Sequence, residues 1–196
     1  MAGKRRLGPE DSSVRHDFLD AAERVLSKHG YAAVTSRRVS EEAGVKPQLL
    51  YYYFRDMEDL VVATFQRRTS QFLDQLEAAL ATPTPIRTIW ELSSHRDARL
   101  ISEFMAMANH NEAIRAEIAR YSEHANRIQV AAVARSLKRS GVDPAQIPPS
   151  VLTFLVASVA RNLVAETELG ILPNQGEIER FIATMLDRLE PRLLNP

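Results

Sequence analysis

The stretch TSRRVSEEAGVKPQLLYYYFRDMEDL, residues 35–60, decides the fold. Two short helical patterns flank Gly44. Thr35 or Ser36 can cap a helix over Arg37–Ala43, and Gly44 stops it. Pro47 suits the first turn of the next helix, where its missing N–H costs nothing. That helix is brief, about 47–53, and ends in three tyrosines and Phe54. Val39, Ala43 and Val45 are small enough to fill the space between two closely crossing helices, while Leu50 and Phe54 can face a core. A helix that enters a DNA major groove must be short, exposed and polar at its N-terminal end. Lys46, Pro47, Gln48, Leu49, Tyr51, Tyr52 and Tyr53 are left for an exposed face. Three consecutive helical positions span about 200° of circumference, so the tyrosines cannot all be core. Glutamine reads adenine edges, and lysine reaches guanine or phosphate. Tyrosine hydroxyls donate to phosphate oxygens. The layout is that of a helix-turn-helix, with its motif at 36–54.

Working outward, Ser12 or Ser13 can cap a first helix to about His29, with Phe18, Ala22, Val25 and Leu26 on its apolar face. Gly30 stops it. Asp56 caps a long fourth helix, with Glu58 and Asp59 favouring the dipole in its first turn. Leu60, Phe65, Phe72, Leu76 and Leu80 continue its buried stripe. TPTP at 82–85 breaks the chain. Helical patterns follow at about 85–93, 96–108 and 111–140. In the last of these Ile114, Ile118, Tyr121, Ala125, Ile128 and Ala132 alternate spacings of four and three. GVDPAQIPP (141–149) is a loop. Residues 150–169 form a strongly apolar helix, GILPNQG (170–176) turns, and Ile178, Phe181, Ile182, Met185 and Leu189 mark a final helix. The expected class is all-α, about nine helices without strands or internal repeats. A helix-turn-helix domain at 12–60 is joined through the fourth helix to a C-terminal helical domain at 61–196.

Composition bounds the chemistry. The 196 residues are 45% hydrophobic and 26% charged, as in a globular protein. The absence of cysteine removes disulfide and thiol chemistry and fits a reducing cytoplasm. No apolar run approaches the ~20 residues of a bilayer span, and the N-terminus lacks the apolar core of a secretion signal. Formal net charge is zero, and residues 1–60 balance ten Lys/Arg against ten Asp/Glu. The basic character is local: Lys4, Arg5 and Arg6 in a tail, and Arg37, Arg38, Lys46 and Arg55 around the short helices. Basic arms reach into minor grooves, and a solvated tail is the plain alternative.

The segment from LDAAERVLSKHGYAAVTSRRVSEEAGV through LYYYF to DMEDL resembles, in register over about fifty residues, the N-terminal domain of TetR-family transcriptional repressors. By that resemblance Thr35, Ser36, Arg37, Lys46, Pro47, Gln48, Tyr51, Tyr52 and Tyr53 map onto DNA-contacting positions. The resemblance also implies a homodimer on a palindromic operator, released by a small molecule bound in the C-terminal domain. Dimers of this type form through their last two long helices. Three positions differ from the family habit. Met57 stands where a phosphate-binding lysine is frequent, with Arg55 two positions earlier as the candidate to supply that charge. Lys46 replaces a capping Ser or Thr, and Tyr53 a frequent histidine.

Further along, the chain carries candidates rather than motifs. Trp90, Phe104, Met107, His110, Tyr121, His124, Phe154 and Asn162 are candidate ligand-binding residues, and ordinary core is the alternative for the aromatic ones. Helical bundles place ligands between their helices. Asn109 and Arg161 are further polar residues on apolar helices. Residues 150–169 and 177–190 are apolar over more than one face, and such surface needs a cover. Phe154, Ser158, Arg161, Ala165, Phe181 and Met185 are candidates for an isologous dimer interface. Arg161 could pair with Glu166 or Glu168 across it. His95, His110 and His124 lack the i,i+4 spacing of a helical metal site, so neither metal nor other cofactor is expected. No GxSxG, glycine-rich phosphate loop or HExxH is present. A ligand-responsive DNA-binding regulator is the leading reading. A helical interaction module without DNA binding and, last, a small helical enzyme are the alternatives.

Overall fold

The computed structural model describes residues 7–94 and 98–190, with side chains except at 98–102. Lys4, Arg5, Arg6 and His95 lie outside the described residues. Among those described there are nine α-helices and no strand. They are α1 (Ser13–His29), α2 (Ser36–Ala43), α3 (Pro47–Tyr53), α4 (Met57–Ala79), α5 (Pro85–Ser93), α6 (Ala98–Ala108), α7 (Glu112–Arg139), α8 (Pro149–Leu169) and α9 (Gln175–Leu189). The expected helices are all present. A single 3₁₀ turn, Tyr31–Ala33, was not anticipated. It follows Gly30, whose N–H closes α1 by donating to the Leu26 carbonyl.

Two compact units form, one from residues up to 71 with 100–119, the other from 72–99 and from 120 onward. In the first, α1 packs on α2 and α3. Phe18, Leu19, Val25 and Leu26 of α1 are buried with Val39, Leu50 and Phe54. Phe18 meets Phe54 edge-on at 6.4 Å. Phe65 of α4 stacks at a tilt against Phe104 of α6, 4.7 Å between centroids. Arg67 of α4 holds Asp20 of α1 at 2.6 Å. In the second unit α5 packs against α8 and α9. Its core takes Leu76, Leu80, Ile86, Ile89, Val133, Leu137 and Leu186.

One expectation needs correcting. Helix α8 is long and apolar enough to cross a membrane by length and composition, with a mean hydropathy of 1.2. Thr153, Ser158, Arg161 and Asn162 interrupt the apolar residues of this helix, and the average passes over them. Only 17% of that window is buried. The pattern of burial is inverted. Small residues (Thr153, Ala157, Ala160) face inward, while Val151, Phe154, Leu155 and Val159 face out.

Candidate nucleic-acid interface

The geometry of the α2–α3 turn follows from its sequence. The Thr35 side chain accepts the Arg38 N–H at 3.3 Å and caps α2. At its other end Gly44 adopts φ 68°, ψ 23°. The Gly44 N–H reaches the Glu41 carbonyl and the Val45 N–H the Ser40 carbonyl, which together satisfy the last turn. No atom lies within 4 Å of where a Gly44 Cβ would stand, so the left-handed φ alone requires glycine. Pro47 opens α3, and Lys46 at its N-cap makes no side-chain cap bond.

Helix α3 is anchored by one fully buried side chain, Leu50, and by Phe54 just beyond it. Thr35, Arg37, Lys46, Pro47 and Gln48 are exposed, and Ser36 is half-buried. Tyr51 and Tyr52 also face out, 37% and 48% exposed. Tyr53 differs: it is half-buried, its hydroxyl accepts from Ser12 Oγ at 2.9 Å, and its ring packs on Phe18 and Tyr52. Asp56 caps α4 by accepting the Asp59 N–H at 2.8 Å.

Much of the positive charge here is already matched. Arg37 pairs with Glu41 at 2.8 Å, and this hydrogen bond raises its pKa above the ordinary guanidinium value. Arg24 pairs with Glu42 at 2.6 Å and holds that carboxyl below the usual range. Arg55, the candidate substitute for a lysine at Met57, pairs with Asp59 at 2.9 Å. Burial pushes the Asp59 carboxyl up, and hydrogen bonds from the Arg55 side chain and backbone outweigh it, leaving it lowered. Arg38 and Lys46 are exposed and have no ion pair among the described residues.

The candidate ligand residues fall in both units. Phe104 and Met107 are buried and His110 exposed in the first. In the second, Trp90 and Tyr121 are half-buried at the core, with Tyr121 6.1 Å from Phe72. His124 lines a 320 Å³ recess with Arg127 and Arg135. Phe154 stands 67% exposed. Asn109, His110, His124, Arg161 and Asn162 are all exposed in this single chain, so none is a buried polar group in need of a ligand. Asn162 donates to Glu166 at 2.7 Å, and Arg161 donates to Ser158 at 3.3 Å. Among the interface candidates Phe154, Arg161, Ala165 and Phe181 are exposed, Ser158 and Met185 half-buried. A larger recess of 780 Å³ is lined by Leu80, Pro83, Arg135, Arg139, Arg188 and Glu190 among others. Its walls come from three segments distant in sequence, so no local pattern announces it.

Residues 18–64 match the family model described as bacterial regulatory proteins, tetR family. Over those residues the chain is similar to TetR-family transcriptional regulators. The HTH-type transcriptional regulator BetI of Rhizobium meliloti (strain 1021) is 34% identical over 108 residues, 53% of each chain. The matches take in 31–53% of the first three curated relatives' length. A TetR transcription regulator from Haloarcula marismortui shares the fold with a TM-score of 0.68 at 18% identity, covering 88% of this chain and 95% of that one. The transcriptional regulator FadR from Bacillus subtilis, in complex with stearoyl-CoA, has a TM-score of 0.63 at 15% identity, covering 91% and 98%. These TetR-family relatives and fold neighbours are transcriptional regulators, not enzymes.

Proposed function

We propose that this chain is a TetR-family DNA-binding transcriptional repressor. It acts as a homodimer on a palindromic operator and is released by a small molecule. The observation that carries this reading is the division of α3: Leu50 is buried, while Lys46, Gln48, Tyr51 and Tyr52 are exposed beside the Gly44 turn. Two such helices in a dimer would sit about one helical turn, ~34 Å, apart. A ligand shifts occupancy only through its differential affinity for the DNA-competent and incompetent states. The second unit, with its 780 Å³ recess, is where such a ligand would bind. Binding of a fatty acyl thioester by a fold neighbour supports a small-molecule effector of some kind.

The test is duplex binding followed by fluorescence anisotropy at rising salt. Association weakens steadily between about 50 and 200 mM salt as counterions are released. A complex indifferent to salt, or no complex with any duplex, sinks the reading. Two variants sharpen it. Tyr51→Ala is expected to weaken binding on every sequence with an unchanged melting temperature; unfolding would show the ring to be structural. Gln48→Ala is expected to relax preference at one base pair by ~1–3 kcal/mol. Uniform loss across sequences would rule out base reading by Gln48.

A further inference from the structure

Positive charge converges on the 780 Å³ recess of the second unit. Arg135 and Arg139 reach it from α7 and Arg188 from α9, and Glu190 is the one acid among its lining residues. Three cations against one acid leave the lining at a net charge of +2, in a chain whose formal net charge is zero. Glu190 does not answer those cations. It is buried, and its two oxygens accept the Ile86 and Arg87 N–H groups and the Ser136 hydroxyl.

Helix ends explain part of this charge. Arg139 and Arg188 lie in the last turns of α7 and α9, where a cation complements the helix dipole. Arg139 also donates to the Pro83 carbonyl at 2.9 Å. Arg135 stands one turn further in, beyond the reach of that reason. The side chains of Arg135 and Arg188 have neither a hydrogen bond nor an ion pair among the described residues. A guanidinium only donates; it has no acceptor to offer. The hydroxyls alongside are already given away, Ser136 to Glu190 at 2.6 Å and Ser140 to the Leu189 carbonyl at 3.2 Å. The donors left to a ligand are therefore chiefly guanidinium N–H groups, and an anion rich in acceptors is what they match. Leu80, Pro83 and Val142 give the same recess an apolar wall. Its 780 Å³ falls within the ~300–1,000 Å³ of organic-ligand sites and far exceeds a bare inorganic ion.

We propose that this recess binds an organic dianion, a phosphate monoester or a dicarboxylate with an apolar body. Arg135 and Arg188 hold the acidic groups, while Arg139 stays on Pro83 and shapes the wall. A phosphate monoester carries about −1.5 to −2 near pH 7, which balances the charge of the lining. The proposal rests on the small-molecule effector reading above and gives that effector a chemical class.

The experiment titrates the full chain with phenyl phosphate and with phthalate, with benzamide as the uncharged match. Binding is followed by saturation-transfer NMR, and melting temperatures are recorded in parallel. At least one dianion is expected to bind and benzamide is not; the preferred dianion tells a phosphate site from a carboxylate site. Arg135→Gln and Arg188→Gln are each expected to raise the dissociation constant about tenfold or more. Both variants should melt like the wild type, because neither side chain has a partner to lose. Arg127→Gln is the control for general surface charge. Arg127 lies eight positions earlier on α7, in the smaller recess, and its variant should bind as the wild type does. No binding by either dianion overturns the proposal. Equal binding by the wild type and the Arg135→Gln, Arg188→Gln double variant overturns it too, as does an equal loss in Arg127→Gln or equal binding of benzamide. Duplex binding is measured separately. Duplex binding without dianion binding removes the site and leaves the DNA-binding reading standing. Dianion binding through Arg135 and Arg188 with no effect on the duplex complex keeps the site and removes its effector role.

Discussion

Glu190→Ala is expected to be among the most destabilising single substitutions in the chain. The side chain is 3% exposed and follows the end of α9. Its Oε1 accepts the Ile86 N–H at 3.0 Å and the Ser136 hydroxyl at 2.6 Å, and its Oε2 accepts the Arg87 N–H at 2.9 Å. Ile86 and Arg87 lie in the first turn of α5, whose N–H groups have no partner inside the helix. Thr84, at the N-cap, makes no side-chain cap bond. Glu190 therefore caps α5 from more than a hundred residues away and ties α5, α7 and α9 together. Removing it leaves three donors without acceptors, each worth about 1–3 kcal/mol if buried. The adjoining recess admits water and softens the loss, so ~2–4 kcal/mol is expected, or a melting temperature lower by about 5–15 °C. Glu190→Gln should fall between, since one amide oxygen can serve Ile86 and Ser136 while the NH₂ faces the Arg87 N–H. Melting of Glu190→Ala within about 2 °C of wild type would show that these bonds contribute little.

That carboxylate also marks the limit of what the sequence discloses. Helix ends were readable because their signals are local: Thr35 caps α2, Gly44 closes it, Pro47 opens α3 and Asp56 caps α4. The division of α3 into buried Leu50 and exposed Gln48 and Tyr51 was readable for the same reason, since helical period fixes it. Glu190 reads as one more exposed acid near a C-terminus, because nothing near it in sequence announces Ile86 or Ser136. Gly8 reads as a loop glycine until Tyr52 and Tyr53 are seen against it. Tyr53 could not be separated from Tyr51 by sequence, because the partner that turns it inward, Ser12, is 41 positions away. Asn109, His110, His124, Arg161 and Asn162 sit on otherwise apolar helices, where burial would have needed partners, and they are exposed. The inverted pattern of α8, with small residues inside, places Arg161 and Asn162 on the outer face.

For the homodimer proposed above, the double variant Phe154→Asp, Phe181→Asp is expected to abolish dimerisation and, with it, most DNA affinity. Phe154 on α8 and Phe181 on α9 are 67% and 63% exposed, and both helices pack on α5. A stripe of Val151, Phe154, Leu155 and Val159 facing water is costly for a lone chain, and a second copy is the cover in the homodimer proposed above. A phenylalanine with two thirds of its surface still to bury gains about 3 kcal/mol on contact. An isologous dimer holds two copies of each ring, and burying aspartates in their place adds desolvation of charge. Even after the cost of association, the dimer dissociation constant is expected to rise by more than about 1,000-fold. The variant should sediment as a monomer. It should stay folded, because Thr153, Ala157 and Ala160, which seat α8 inside the unit, are unchanged. Loss of the linked second half-site then lowers operator affinity by about 10²–10⁴-fold. Arg161 tests the same face from the side of charge. Partial burial lowers its guanidinium, Tyr121 counters that effect, and no carboxylate pairs with it among the described residues. Arg161→Glu should therefore weaken the dimer by less than the double variant does. A double variant that still sediments as a dimer would move the interface away from α8 and α9, and the exposed stripe would need another cover.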